Sequence, residues 1–209
     1  MLSSRRAITA IVVACTALLP VAAVTAQAPS AETRLVVGAT GNEARYRVRE
    51  QLAGLEFPND AVGVTSAVSG EIVLDGSGQV QADRSTIVVD LRTLKSDKDR
   101  RDGYVQRRTL ETEQFPEAVL RVTGLGTLPH PLPTSGEFSF TLTGDLTIHG
   151  TTRPTSWSVT GRVEGDHYHG TATTRFTFAE FGLTKPRVAA VLSVDDEIAL
   201  EYEFHFVKR

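Results

Sequence analysis

Hydrophobic and polar residues alternate with a period of two along most of the chain. Tyr46, Val48 and Glu50 fall on one parity and Arg45, Arg47, Arg49 and Gln51 on the other, the pattern of a strand with one wet face. The alternation returns over residues 68–74, 86–91 and 118–123. Longer runs follow: Phe138, Phe140 and Leu142 against Ser139, Thr141 and Thr143, continuing through Leu146 and Ile148, then 157–163, 170–178 and 197–206. Asp75-Gly76-Ser77-Gly78, His149-Gly150-Thr151 and Gly165-Asp166-His167 separate these runs with residues suited to tight turns, which predicts antiparallel hairpins. Pro129-His130-Pro131-Leu132-Pro133 reads as a loop over the rim of the sheet.

The alternation stops between residues 94 and 113. There Ser96 with Asp99 three residues later resembles a helix start, the stretch is dense in Arg, Asp and Glu, and Phe115-Pro116 ends it. The pattern therefore predicts an all-β protein of about eight to ten antiparallel strands with one inserted α-helix. Such a sheet hides its apolar face by closing into a barrel or by folding into a sandwich. Both bury one inward set: Tyr46, Val48, Ile72, Leu74, Val89, Leu91, Leu120, Val122, Phe138, Phe140, Leu142, Leu146, Trp157, Val159, Phe176, Phe178, Ile198, Leu200, Tyr202 and Phe204. An eight-stranded barrel either fills its interior with such side chains or keeps room for one ligand.

At 209 residues and 41% hydrophobic composition the chain supplies one core rather than two. Its 22 basic and 25 acidic residues give a net charge of −3, which provides no general grip on a polyanion and argues against nucleic-acid binding. The amino terminus has a different character. Arg5 and Arg6 precede an apolar stretch over 7–24, and Val24-Thr25-Ala26 offers small residues for cleavage, so residues 1–26 read as a signal peptide. Pro20 interrupts the stretch and counts against an uncleaved membrane span. Ser4-Arg5-Arg6 partly suits a twin-arginine signal; Val12-Val13-Ala14-Cys15 resembles a lipoprotein box, but one preceded by a very short apolar segment. Residues 27–33, rich in Ala, Pro, Ser and Glu, read as a disordered leader to a single domain over 34–209. The expected location is periplasmic or secreted, with no stable membrane insertion after cleavage. Cleavage removes Cys15, the only cysteine, and with it any disulfide, redox pair or cysteine nucleophile.

Common enzyme signatures are absent: there is no Gly-x-Ser-x-Gly, phosphate loop or dinucleotide fingerprint. Asp195-Asp196-Glu197 is the densest carboxylate group and reads as a solvated strand start. His167 and His169, two apart on an extended chain, project from the same face as a metal pair would, yet a third ligand would have to come from His130, His149, His205 or a carboxylate. They are read as polar turn residues, and no metal is assigned. Arg100, Arg101, Arg107 and Arg108 are expected to pair with Asp97, Asp99, Asp102, Glu111 and Glu113 on a solvated helix face. Arg101 is the candidate for contact with an anionic head group.

Three segments resemble a known family. Ser96-Asp97-Lys98-Asp99-Arg100-Arg101-Asp102, followed by Thr109-Leu110-Glu111 and Phe115-Pro116-Glu117, is similar to the Arg-Asp to Phe/Tyr-Pro region of bacterial YceI-like proteins. GDLTIHGTTRP at 144–154 resembles their Gly-x-Leu-Thr-Ile-x-Gly-x-Thr-x-Pro hairpin, and Phe181-Gly182 through Ser193-Val194-Asp195-Asp196-Glu197 resembles their closing segment. The chain departs from many relatives in its arginine-rich first strand, Ala44-Arg45-Tyr46-Arg47-Val48, and in lacking paired Phe residues in the helix. The resemblance implies a lipocalin-like antiparallel barrel of about eight strands, exported from the cytoplasm, whose apolar interior holds an isoprenoid lipid such as an isoprenoid quinone or a polyprenyl chain.

On that reading the protein is a non-enzymatic carrier or sequestering protein with no cofactor besides its bound lipid. Its cavity would be lined by Tyr46, Val48, Val89, Leu91, Leu120, Phe138, Phe140, Leu142, Trp157, Val159, Phe176, Phe178, Leu200 and Tyr202, with Arg101 near the head group. The competing readings are a structural or partner-binding domain with a filled core, and a lipid-acting hydrolase or isomerase, which needs a polar constellation inside the barrel. The pattern carries no signature of an oligomer interface.

Overall fold

The computed structural model describes residues 32–54, 56–189 and 191–209. The signal peptide expected over 1–26 lies outside the described residues, as does the leader up to residue 31. The fold begins slightly before the expected Arg34: Glu32 forms an ion pair with Arg84, and Thr33 opens the first strand.

Ten strands follow one another: β1 (Thr33–Val37), β2 (Glu43–Leu52), β3 (Asn59–Thr65), β4 (Val68–Leu74), β5 (Thr86–Asp90), β6 (Glu117–Gly124), β7 (Ser135–Ile148), β8 (Thr151–Glu164), β9 (His167–Thr177) and β10 (Val191–Lys208). All pairings are antiparallel, and β4 to β10 run as neighbours until β10 meets the start of the chain. There β10 pairs with β2 over residues 191–203 and with β1 over 206–208, both on the same edge. β1 and β2 therefore act as two lengths of one bent strand. β3 and β4, separated by Ser66 and Ala67, behave likewise, pairing with β2 and β1 respectively. The ten strands thus form a closed barrel of eight staves.

The outer wall explains the arginine-rich β2. Arg45 pairs with Glu43 and, at 2.7 Å, with Glu203; Arg47 bridges Glu201 and Asp60, both at 3.2 Å; Arg49 reaches Asp60 at 3.1 Å. The opposite parity, Tyr46, Val48 and Glu50, faces inward.

Between β5 and β6 lies α1 (Asp99–Tyr104), which continues through a wider π-type turn over Val105–Thr109; it is the α-helix among the described residues. Its start differs from the expected capping pair of Ser96 and Asp99. Lys98 occupies the cap position without a side-chain bond. Asp102 instead reaches back, accepting from the Ser96 backbone N–H at 2.8 Å and its hydroxyl at 2.6 Å. Nor do the helix arginines form the expected run of ion pairs: Arg101 meets Asp97, whereas Glu111 is bound by His149.

One end of the barrel is filled. Leu74, Val122 and Val163 are fully buried there, and Tyr168 donates its hydroxyl hydrogen to the Pro133 carbonyl of the proline-rich loop. Side chains in this end have partners on every side, so truncating one leaves a void that its neighbours cannot close. Leu74→Ala is expected to destabilise the protein by about 2–5 kcal/mol in chemical denaturation. Leu142→Ala, whose side chain already borders open space, is expected to cost clearly less.

Candidate functional site: an apolar cavity with a charged mouth

The unfilled remainder of the barrel interior is a cavity of about 770 Å3, within the range of small-molecule sites. The alternation that makes each stave amphipathic also supplies the walls. Tyr46 and Val48 come from β2, Val89 from β5, Leu120 from β6, Phe138, Phe140 and Leu142 from β7, Trp157 and Val159 from β8, Phe176 from β9, and Leu200 and Tyr202 from β10. Leu91 and Phe178 sit just past the ends of β5 and β9, in short 3-10 turns. The structure brings all fourteen residues, and Arg101, to this one space. Leu74 and Val122, also placed on the inward face by the pattern, pack into the filled end instead.

Aromatic rings form the floor. Gly161 and Gly170 face each other across β8 and β9 with inward parity, and a Cβ on either would lie 2.7 Å or less from the ring of Phe138 or Phe204. The missing side chains let these rings lie against the wall, stacked on each other at 6.5 Å and 19°. Tyr202 donates to Asn42 Oδ1 at 2.8 Å, and Trp157 Nε1 donates to Thr155 Oγ1 at 3.0 Å, so both polar tips are satisfied within the protein. Burial pushes the Tyr46 phenol up to about 12, against the nearby positive charge of Arg101, and raises Tyr202 as well.

The other end is the mouth, bordered by α1, by the end of β2 and by the segment before β10. Exposed Lys98, Arg100 and Val188 border the cavity here, together with Tyr104, Val105, Leu110, Pro186 and Val191. Glu50 and Arg101 meet at 2.6 Å with side-chain exposures of only 8% and 14%. Burial acts against the charge on Arg101, but its bonds to Glu50 and Asp97 outweigh that and hold its pKa above the ordinary value. Its charge is thus balanced by two carboxylates before any ligand arrives. Glu50 also accepts from Asn59 Nδ2 at 3.3 Å. Asp102 Oδ2 and Thr109 Oγ1, both buried in α1 and the turn after it, have no hydrogen-bond partner. The large exposed apolar side chains among the described residues, Phe57, Val188 and Leu192, also belong to this end, on or beside the segments that frame the mouth.

The pattern missed several lining residues. Leu35 and Ala61 belong to β1 and β3, and the segment from Leu183 to Val194 is too irregular to show periodicity. Glu50 had a signal, sharing the parity of Tyr46 and Val48, but no feature of the sequence paired it with Arg101. Asp195, Asp196 and Glu197 are exposed on the outside, where Asp196 pairs with Lys185 and Glu197 with Arg175. His167 and His169 also lie outside the cavity, on the outer wall beside His205.

A closed eight-stranded antiparallel barrel with an apolar interior belongs to the lipocalin-like fold class. Residues 39–206 match the model of the YceI-like domain, and the chain belongs to that family. Among characterised folds it is similar to a polyisoprenoid binding domain from Saccharophagus degradans, with a TM-score of 0.59 and 11% identity over 83% of this chain and 97% of that one. BcnA of Burkholderia cenocepacia gives 0.59 and 14%, covering 81% and 98%. The YceI protein of Campylobacter jejuni gives 0.54 and 15%, covering 74% and 88%. At these identities the likeness is one of fold. A UPF0312 protein of Pseudomonas putida strain W619 is 32% identical over 126 residues, 56% of this chain and 62% of the relative's length.

Two outcomes follow from the site chemistry. Arg101→Ala leaves Glu50 buried with only Asn59, and a loss of about 3 kcal/mol in unfolding free energy is expected; Glu50→Gln with Arg101→Met should recover most of it. Because the folded protein binds the Tyr46 proton more tightly than the unfolded chain does, stability should fall as pH rises from about 10 to about 12. Tyr46→Phe should lessen that fall in alkaline denaturation curves, leaving the part due to buried Tyr202.

Proposed function

We propose that the protein binds the hydrocarbon chain of an isoprenoid lipid, an isoprenoid quinone or a polyprenyl derivative, without catalysing a reaction, and does so outside the cytoplasm. The observation that carries this reading is the largely apolar cavity of about 770 Å3 inside the barrel, bordered beside α1 by Lys98, Arg100 and Arg101. Each methylene taken from water contributes roughly 0.8 kcal/mol before ordering costs, so affinity would reside in the tail and selectivity in the rim. The polyisoprenoid-binding relative from Saccharophagus degradans supports the ligand class through shared fold. The basic, apolar and small-residue succession in residues 1–26 supports export. No described helix is long and apolar enough to cross a membrane. An open interior of this size argues against the filled-core reading. A hydrolase or isomerase would need a free acid or base at the reacting bond, whereas Glu50 and Arg101 engage each other. On the rim, Phe57, Val188 and Leu192 would ease transfer of a tail between a bilayer and the cavity.

The test is direct. Protein purified without detergent from a bacterial host should show an added mass in native mass spectrometry that organic solvent extracts as an isoprenoid. Trp157 fluorescence should be quenched when an isoprenoid quinone is added, since its ring borders the cavity. Phe140→Lys should fold and be secreted yet lose retention, because an unpaired ammonium facing an alkyl chain is costly to desolvate. Absence of both copurified lipid and quinone uptake in correctly folded wild-type protein would overturn the proposal.

A further inference from the structure

Three histidines distant in sequence meet on the outer wall at the filled end of the barrel. His167 and His169 are two apart on β9, and His205 of β10 stands directly opposite His169 in register. Their inward neighbours are Tyr168, Phe204 and Phe206, so alternation places all three imidazoles on the solvent face. The His169 and His205 rings stack at 4.3 Å and 13°, and those of His167 and His205 at 5.2 Å and 27°. One nitrogen from each ring lies within 4.8 Å of the other two.

The orientation of His205 is built in. Its Nδ1 lies 2.8 Å from the Thr40 carbonyl oxygen, which can only accept, so Nδ1 carries the hydrogen and Nε2 presents its lone pair to the other histidines. The loop that supplies this carbonyl is tied down. Gly38 N–H donates to the His205 carbonyl at 2.8 Å, His205 N–H donates to Asn42 Oδ1 at 3.0 Å, and Asn42 Nδ2 donates to the Gly38 carbonyl at 2.8 Å. A Cβ at Gly38 would lie 2.6 Å from His205 Nδ1, so glycine leaves the space that the ring occupies. A backbone carbonyl holding the far nitrogen of an imidazole is the usual support of a metal ligand. His167 Nδ1, 2.9 Å from His205 Nε2, donates to that lone pair in the metal-free protein. The nearby cations have partners of their own: Arg162 meets Glu164 and Lys208 meets Asp166, each at 3.3 Å.

We propose that His167, His169 and His205 form a binding site for a divalent late transition metal ion of the zinc type, with a fourth position left to water. Zinc to imidazole bonds of about 2.0–2.1 Å set tetrahedral nitrogen separations near 3.4 Å, so His167 Nδ1 and His205 Nε2, now 2.9 Å apart, must open by about 0.5 Å, while the widest separation, at most 4.8 Å, must close by up to about 1.4 Å. His167 and His169 make the adjustment by turning about the terminal imidazole torsion, which is broad and inexpensive, while His205 stays held by Thr40. The ion takes the place of the hydrogen between His167 and His205, and His167 adopts its other tautomer with no net loss of a proton. The site is at the opposite end of the barrel from the lipid mouth and is independent of lipid binding.

The test uses the full chain carrying no polyhistidine tag, titrated with Co2+. One ion per chain is expected, with the intense visible absorption of a tetrahedral site, displaced stoichiometrically by Zn2+. His169→Gln and His205→Gln, substitutions on the outer wall, should each weaken binding at least about tenfold, while His149→Gln at the far hairpin leaves it unchanged. Thermal melting of each metal-free variant establishes that it is folded. Equal binding by wild type and by the His167→Gln/His169→Gln/His205→Gln variant, a weak octahedral spectrum, or no binding by folded wild type would each overturn the proposal.

Discussion

Everything inside this barrel depends on how β10 closes it. A single strand of eighteen residues pairs with β9 along one edge and with both β2 and β1 along the other, so one stave holds the seam from mouth to floor. Edge strands left open would expose unpaired backbone groups, and closure removes them. The seam changes partner between Glu203 and Phe206, where β2 gives way to β1, and is irregular near the mouth, where the β10 register against β2 shifts between Val191 and Ser193 and again between Val194 and Ile198. The bulged length carries Asp195, Asp196 and Glu197, which the broken register turns to solvent.

With closure secured, the size of the cavity follows from which inward positions are large. At the floor the Gly161–Gly170 pair yields its space to Phe138 and Phe204, and aromatic rings occupy the axis. Above them small and large inward residues sit side by side, Val159 beside Phe140, Ala172 beside Tyr202 and Leu200 beside Tyr46, and all of them border the cavity. The helix then lies over what remains. Its hold on the barrel is partly ionic, through Arg101 and Glu50, a pair whose burial makes it sensitive to loss of either member and of modest net value when complete.

Alternation made most of the barrel legible. β2 and β4 to β10 follow from the period-two runs, although the end of β4 is buried on both faces at Ile72, Val73 and Leu74, and the His149-Gly150 and Gly165-Asp166 turns mark hairpins. β1 gave no such signal: Leu35, Val36 and Val37 are consecutive apolar residues in a strand of five. In β3, Gly63 interrupts a short run, leaving room for the Tyr46 ring, and nothing local betrays that purpose. The helix was legible as a break in pattern, whereas its start was misread because Ser96 serves Asp102 rather than the helix end. The cavity-facing set follows from parity alone, since residues two apart share a wall. What parity does not hold is contact between distant parts of the chain: the Glu50–Arg101 pair and the stack of His205 on His169 depend on the register of closure.

The filled floor has a topological consequence. A barrel open at both ends could serve as a conduit, receiving a molecule at one end and delivering it at the other. In this one Leu74, Val122 and Val163 are packed out of reach of solvent toward one end, while the exposed side chains Lys98, Arg100 and Val188 border the cavity at the other. If a molecule uses only that doorway, donor and acceptor have to take turns at it, and the end that goes in first comes out last.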